Sequence, residues 1–204
     1  PTGHFRWALA ATAGARTWWH IDSNGLLTQI TIMCGDKIWI VIRDELGHFI
    51  KTCAYEDFLI DEPGTFWIEA VLLRPGTRML MRPNTNHMVI TPSHTICHGG
   101  HFLSTGSMID TLRASMHSFI DHLHITNTNH PPTGMLLRRI ALFYHAAFIG
   151  EETDSMEGSL YSNIFMLDHE RQHLPDVATV EGLIDLLSLC FLVIFGNVLD
   201  FRTY

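Results

Sequence analysis

The spacing of apolar residues changes near residue 105, and this change constrains the fold more than any other feature of the sequence. Before it, short runs rich in Trp, Ile, Val and Thr are separated by Gly, Pro and Asn, which is typical of β-strands joined by turns. After it, apolar residues recur at the three- and four-residue spacing of a helix. The predicted strands cover residues 5–10, 16–22, 27–33, 37–43, 66–73, 78–82, 87–91 and 95–103, and the predicted helices cover 107–123, 135–148 and a final apolar run at 186–199.

This order of elements predicts a mainly β fold with C-terminal helices. Closely spaced strands with tight turns are typical of a sandwich or jelly roll. A chain of 204 residues is long enough to bury roughly two-thirds of its unfolded surface. We expect a β core at residues 1–105 and a helical region at 106–204 that packs on it. The tryptophans expected to pack inside the β core are Trp18, Trp19, Trp39 and Trp67.

The chain carries a formal charge of −8, and its Lys and Arg residues are few and scattered. Nucleic-acid binding depends on clustered Lys and Arg, so we expect no nucleic-acid groove in this segment, whereas a basic protein or peptide partner is electrostatically easier. The four cysteines form no CxxC pair, which argues against a zinc ribbon or a disulfide scaffold and favours a reducing compartment. No charged-then-apolar leader follows Pro1, so we expect no signal peptide.

The most apolar stretch, residues 186–199, runs for fourteen residues without a charge. A membrane-spanning helix needs about eighteen or more apolar residues. We therefore expect no membrane association, and we interpret this stretch as a buried core helix or as a contact between copies of the chain.

The run TWWHID places His20 two residues before Asp22 in a predicted strand. Side chains alternate along a strand, so the imidazole and the carboxylate project from the same face and can bind one metal ion. A chain with fourteen histidines contains such a pair by chance about as often as not. The pair therefore needs a third ligand and further support.

A third ligand follows the turn RPNTN, where His87 opens another predicted strand. Two histidines and one carboxylate on one face of an octahedron leave three positions open. Non-haem Fe(II) requires these positions to hold a bidentate 2-oxo acid and then O2. A closed structural zinc site has no such vacancy.

Lys37, in GDKIW, is the candidate anchor for the far carboxylate of a 2-oxo diacid. A charge-assisted hydrogen bond inside an apolar barrel is strong, whereas an unpaired buried lysine is costly. Thr17, three residues before His20, can offer a hydroxyl to the same carboxylate if its strand runs beside that of Lys37.

These residues carry a family resemblance. The segment WALAATAGARTWWHIDSNGLLTQITIMCGDKIWIVIR and the later segment RPGTRMLMRPNTNHMVITPSHTICHGGHF resemble the Jumonji-C (JmjC) domain, particularly divergent JmjC-like proteins of mushroom-forming fungi. In that family, an HxD/E pair, a K-x-W motif and a distal His behind a Pro-containing turn form the iron and 2-oxoglutarate site. The resemblance covers about residues 5–105, and it implies iron ligands at His20, Asp22 and His87, with Lys37, Thr17, Trp39 and His101 around 2-oxoglutarate.

The resemblance also implies a cupin-like jelly roll, or double-stranded β-helix, that uses Fe(II), 2-oxoglutarate and O2. Such a dioxygenase would hydroxylate a protein substrate or remove its N-methyl groups, in the nucleus or the cytoplasm. The chain begins shortly before the HxD strand, which leaves open whether early barrel strands are absent. A chain that lacked them would be a catalytically inactive, cupin-like binding module.

Two other histidine patterns compete for a metal. His169-Glu170-Arg171-Gln172-His173 matches the HExxH motif of zinc hydrolases, but a proline follows closely and the flanks are polar, which does not favour a buried zinc helix. His94, His98 and His101 form a second cluster, yet a strand would send the first two to one face and the third to the other. The oxygenase interpretation is therefore preferred over a zinc hydrolase.

Overall fold

The structure is a computed structural model that describes residues 5–44, 66–120, 126, 130–149 and 174–196. All eight predicted strands are confirmed, and helices occupy the three predicted regions. The strands are β1 (Arg6–Ala11), β2 (Arg16–His20), β3 (Leu27–Cys34), β4 (Lys37–Asp44), β5 (Phe66–Leu73), β6 (Arg78–Met81), β7 (His87–Ile90) and β8 (Thr95–Phe102), and the helices are α1 (Met108–Ile120), α2 (Thr133–Ile149) and α3 (Val180–Phe195).

The strands form two four-stranded antiparallel sheets, with strand orders β1-β8-β3-β6 and β2-β7-β4-β5. Consecutive strands therefore alternate largely between the two sheets, as in a jelly roll of eight strands. The predicted mainly β fold with C-terminal helices is confirmed. Whether early barrel strands are absent is not tested by these two sheets and remains a prediction.

A hydrophobic core fills the space between the two sheets. Ile30 and Ile32 from one sheet pack with Trp39 and Val89 from the other, and all four are at least nine-tenths buried. The packing prediction is confirmed for Trp39, but it is wrong for two other tryptophans. Trp18 is 56% exposed because strand alternation turns it toward solvent. Trp67 is 62% exposed because it lies on β5, an edge strand that is exposed on both faces from residue 67 to residue 72.

The helices enclose a second hydrophobic cluster, formed by Met108, Leu137, Tyr144, Leu189 and Leu192. Helix α3 starts at Thr179, whose hydroxyl accepts a hydrogen bond from the Gly182 amide at 3.1 Å, as an N-cap residue does. No described helix combines the length and apolar character that a membrane crossing requires. The expected division of the chain at residue 105 remains a prediction.

Helix α3 keeps an apolar stripe on its outer side. Side chains at positions 180, 184, 187, 191 and 194 are between 41% and 69% exposed, so only part of the predicted burial of the 186–199 run is seen. Residues 197–199 lie outside the described residues. The expectation that this run forms a contact between copies of the chain remains a prediction.

Helix α1 braces the two turns that flank the candidate ligands. At the Ser23–Gly25 turn, Gly25 has a φ of 63°, and a Cβ there would lie 2.4 Å from the Thr111 carbonyl oxygen, so only glycine fits. At the turn before β7, His117 Nδ1 donates to Asn84 Oδ1 at 2.9 Å, while Asn84 itself adopts a φ of 59°. The helical half therefore fixes the loops of the β half.

Candidate metal centre

His20 and His87 face each other at the end of the second sheet. His20 is the last residue of β2, His87 is the first residue of β7, and the two are directly paired across the strands. Their ring centroids lie 4.1 Å apart, and both residues are buried. Two histidines that are 67 residues apart in the sequence are thus brought together by strand pairing, as predicted.

Asp22 completes the group from just beyond β2. The strand ends two residues earlier than predicted, but the backbone of Asp22 remains extended, with φ −67° and ψ 139°. The alternation of side chains therefore continues past His20. Ligand atoms of His20, Asp22 and His87 all lie within 4.8 Å of one another, so one cation can contact all three side chains.

Both histidines are held in the tautomer that metal binding needs. His20 Nδ1 donates to the Trp18 carbonyl oxygen at 2.7 Å, and His87 Nδ1 donates to the Thr85 carbonyl oxygen at 2.9 Å. A neutral imidazole with its hydrogen on Nδ1 has a free lone pair on Nε2. Hydrogen bonds of this kind orient the histidine ligands of metal sites.

Burial also keeps both rings neutral. Desolvation and the neighbouring His20 ring lower the pKa of His87 to about 4. Desolvation likewise lowers the pKa of His20, although the Trp18 carbonyl and Asp22 partly oppose the shift. Neutral rings at pH 7 bind a metal ion without first releasing a proton.

The donor set fits a non-haem Fe(II) ion. Two imidazole nitrogens and one carboxylate oxygen match the facial arrangement that leaves coordination positions free for co-substrate and O2. His20, His87 and Asp22 would hold the ion.

A buried cation lies further along the same sheet. Lys37 is 3% exposed, and its Nζ donates to the Thr91 hydroxyl at 2.7 Å. Among the residues that the structure describes, no carboxylate forms an ion pair with this ammonium. Desolvation lowers the pKa of Lys37, with Cys97 opposing the shift. A buried ammonium with one neutral partner favours an anionic ligand.

Trp39 lies between the candidate metal ligands and Lys37 on the inner face of this sheet. Its indole ring stacks on the His87 imidazole, with centroids 5.2 Å apart and planes inclined by 13°. Its buried Nε1 hydrogen has no acceptor within the described part of the chain. Trp39 thus fixes the plane of one ligand and offers a free donor beside it.

The structure places Thr17 and His101 near the site, but their contact with a co-substrate remains a prediction. Strand β7 separates β2 from β4, so the strand of Thr17 does not run beside that of Lys37. Thr17 instead shares a cross-strand row with Val89 and Trp39. His101 Nδ1 bonds to the Thr28 hydroxyl at 2.9 Å.

Thr28 and Thr91 were missed in the sequence, although alternation could have found both. Thr91 is two residues after Val89 and four after His87, so it falls on the same face of the strand. Thr28 alternates with Ile30 and Ile32, and it is a polar residue on an inward-facing stripe.

Of the two competing histidine patterns, the structure describes one. The HERQH motif lies outside the described residues. His94 lies just before β8 and is exposed, His98 is exposed within β8, and His101 is half-buried. Within the described chain, the group with converging ligand atoms is His20, Asp22 and His87.

Fold and side chains together define a jelly-roll protein in which two buried histidines and one partly buried carboxylate could hold a metal ion. No protein-family model matches the sequence. The chain is similar to a Caenorhabditis elegans protein described as JmjC domain-containing histone demethylation protein 1, with 28% identity over 115 residues. The match covers 52% of this chain and 10% of that protein. This similarity suggests a relation to JmjC proteins.

Proposed function

We propose that this chain is a JmjC-type oxygenase that depends on Fe(II), 2-oxoglutarate and O2. The single observation that carries the proposal is that ligand atoms of His20, Asp22 and His87 lie within 4.8 Å of one another. They lie at one end of the sheet that also buries Lys37, with which no carboxylate of the described residues pairs. A metal site alone fits many functions. A metal site with an uncompensated cation on the same surface fits a co-substrate that binds the metal at one end and carries a negative charge at the other.

In this proposal, bound Fe(II) supplies the redox chemistry that activates O2, converts 2-oxoglutarate to succinate and CO2, and places one oxygen atom into a substrate C–H bond. The protein supplies orientation and exclusion of water. His20, His87 and Asp22 would hold the ion through three of its coordination positions and leave the others for the co-substrate and O2. Lys37, held by Thr91, binds the distal carboxylate, and the buried Trp39 closes the space between them.

We further propose that the substrate is a protein or peptide with basic character. The chain has a formal charge of −8, which attracts a positively charged partner over distances of about one Debye length. The C. elegans relative is described as a histone demethylation protein, which is compatible with this charge. Hydroxylation would leave a stable alcohol on most side chains, and on an N-methyl group it would release formaldehyde and a demethylated amine. A nuclear or cytoplasmic location belongs to the same proposal.

The alternative of a catalytically inactive binding module depended on absent barrel strands. It would still bind metal and co-substrate, so turnover distinguishes the two. Anaerobic addition of Fe(II) and 2-oxoglutarate to the purified protein should produce the weak visible charge-transfer band of a chelated 2-oxo acid, and admission of O2 should produce succinate above background. A band without succinate would favour the binding module, and neither signal would refute the oxygenase proposal.

A further inference from the structure

The carboxylate of Asp22 has a partner from the opposite sheet. The Thr28 hydroxyl donates a hydrogen bond to Asp22 Oδ2. Thr28 lies on β3, in the sheet that carries none of the three candidate ligands, and it is 3% exposed. One of the two carboxylate oxygens is therefore already occupied by a protein donor.

The direction of this hydrogen bond follows from the atoms involved. An ionised carboxylate can only accept, so the hydroxyl hydrogen of Thr28 points to Asp22. The hydroxyl oxygen then accepts from His101 Nδ1, which lies 2.9 Å away. Thr28 and His101 are direct cross-strand neighbours in the β3–β8 pair, so the backbone register holds this pair in place. The chain of donors runs from His101 through Thr28 to Asp22.

We propose that Thr28, oriented by His101, is a positioning residue that keeps Asp22 a one-oxygen ligand. The inference rests on the proposed iron and 2-oxoglutarate function and deepens it. Two imidazole nitrogens and one carboxylate oxygen fill three of six octahedral positions. A two-oxygen carboxylate would fill a fourth position, and the remaining two could not take both a chelating 2-oxo acid and O2. A hydrogen bond to Oδ2 leaves Oδ1 as the metal-binding atom, so three coordination positions stay open.

The test replaces the hydroxyl without changing the shape of the side chain. Thr28→Val removes the donor, and Thr28→Ser retains it. Thr31→Val is a matched control, because Thr31 is a buried threonine of the same strand whose hydroxyl has no hydrogen-bond partner in the described structure. Each protein is loaded with Mn(II) alone, and the coordinated waters are counted by electron paramagnetic resonance in ¹⁷O-enriched water. The affinity of the Mn(II)-loaded protein for 2-oxoglutarate is then measured by calorimetry.

The expected result is about three coordinated waters in the wild type, in Thr28→Ser and in Thr31→Val, and about two in Thr28→Val. Loss of an open position should also weaken 2-oxoglutarate binding by Thr28→Val about tenfold. Because a valine at position 28 could impair folding, His101→Phe provides a second test. It keeps the ring but removes the donor to Thr28, and we expect about threefold weaker 2-oxoglutarate binding.

The outcomes separate this inference from the proposed function. A wild type that binds no Mn(II) would overturn the metal site and, with it, the inference. A wild type that binds Mn(II) with three waters, alongside a Thr28→Val variant with the same water count and the same 2-oxoglutarate affinity, would overturn the inference alone. A folded His101→Phe variant with unchanged 2-oxoglutarate affinity would exclude the orienting role of His101.

Discussion

The inner surface of the β2-β7-β4 sheet has a metal end and a lysine end, which differ in electrostatics. The metal end offers ligand atoms to a cation, whereas the lysine end carries a buried cation. At the metal end, His20, His87 and Asp22 each have a protein partner for one polar atom and keep another atom for a cation. At the lysine end, the Thr91 hydroxyl is the one hydrogen-bond partner of Lys37 among the residues that the structure describes, and none of their carboxylates balances its charge. The metal end is organised before a ligand arrives. The lysine end is completed by the ligand, so variants at the two ends should differ in both the size and the sign of their effects.

The largest effect is expected from His87→Ala. This variant removes one of two imidazole ligands, so Fe(II) affinity should fall by more than about 100-fold, beyond the usual effect of losing a residue that only orients a ligand. Anaerobic calorimetry measures the change. His98→Ala, which removes an exposed histidine from β8, is the control and should bind Fe(II) like the wild type. Wild-type affinity in His87→Ala, together with lost affinity in His169→Ala, would instead favour the zinc hydrolase.

Lys37→Met should weaken co-substrate binding at the lysine end without changing metal binding at the metal end. Loss of the ammonium removes one partner of a buried charge pair, so 2-oxoglutarate should bind about 100-fold more weakly, whereas Fe(II) affinity should be unchanged. Arg78→Met, at an exposed position of β6, is the matched control. A loss of Fe(II) binding equal to that of His87→Ala would show that the two ends are not independent.

Lys37→Met and His87→Ala should change the thermal stability of the metal-free protein in opposite directions. Without ligands, a buried ammonium with a single neutral partner destabilises the fold, so its removal should raise the melting temperature of the metal-free protein. His87→Ala leaves a cavity and should lower it. Differential scanning calorimetry of the two variants checks both signs, and a lower melting temperature for Lys37→Met would contradict the unbalanced charge.

Acid should destabilise the metal end of the ligand-free protein. His87 titrates near 6.5 in the unfolded chain, and burial lowers its pKa to about 4 in the fold. Between these values the unfolded state binds the proton and the folded state does not, so stability is lost as pH falls, by about 3 kcal/mol for the full interval. Urea unfolding between pH 7 and pH 4 measures the slope. In His87→Ala the free energy of unfolding should depend less steeply on pH. Equal slopes in the variant and the wild type would mean that another group causes the acid sensitivity.

A smaller effect is expected from Thr91→Val, which leaves Lys37 without its described hydrogen-bond partner. Binding of 2-oxoglutarate should weaken about five- to tenfold, the value of one hydrogen bond to a charged group. Thr91→Ser retains the hydroxyl and should restore most of the affinity. Equal affinities for the valine and serine variants would mean that the hydroxyl at position 91 does not support the lysine.

The smallest effect is expected from Thr17→Val. Thr17 shares the row of Val89 and Trp39, between the two ends, so its hydroxyl can contribute one neutral hydrogen bond to the co-substrate. A loss of about threefold in 2-oxoglutarate affinity, with no change in Fe(II) affinity, is expected. No change in either affinity would remove Thr17 from the co-substrate site.

The metal end was largely predictable from the sequence, because its signals are local. The HxD spacing and strand alternation put His20 and Asp22 on one face, and a turn ahead of a β-branched run indicated His87. The partners of these ligands were not predictable in the same way. Thr28 meets His101 only through the pairing of β3 with β8, across 73 residues of sequence, and no local pattern encodes that register.

The exposed tryptophans and the final helix show the same limit. Trp18 and Trp67 are large apolar residues that composition alone assigns to a core. Strand alternation turns Trp18 toward solvent, and Trp67 lies on the edge strand β5, which is exposed on both faces. The final helix begins at Val180, before the uncharged run, because the Thr179 N-cap sets its start. Capping and alternation are readable in a sequence once they are given more weight than hydrophobicity.

The most direct test of the account is a crystal structure of the protein grown anaerobically with Fe(II) and 2-oxoglutarate, with anomalous data collected at the iron edge. The expected result is one anomalous peak with His20 Nε2, His87 Nε2 and one oxygen of Asp22 at about 2.0–2.2 Å, and the distal carboxylate of 2-oxoglutarate on Lys37 Nζ. An anomalous peak away from these three side chains, or a 2-oxoglutarate molecule that does not reach Lys37, would contradict it.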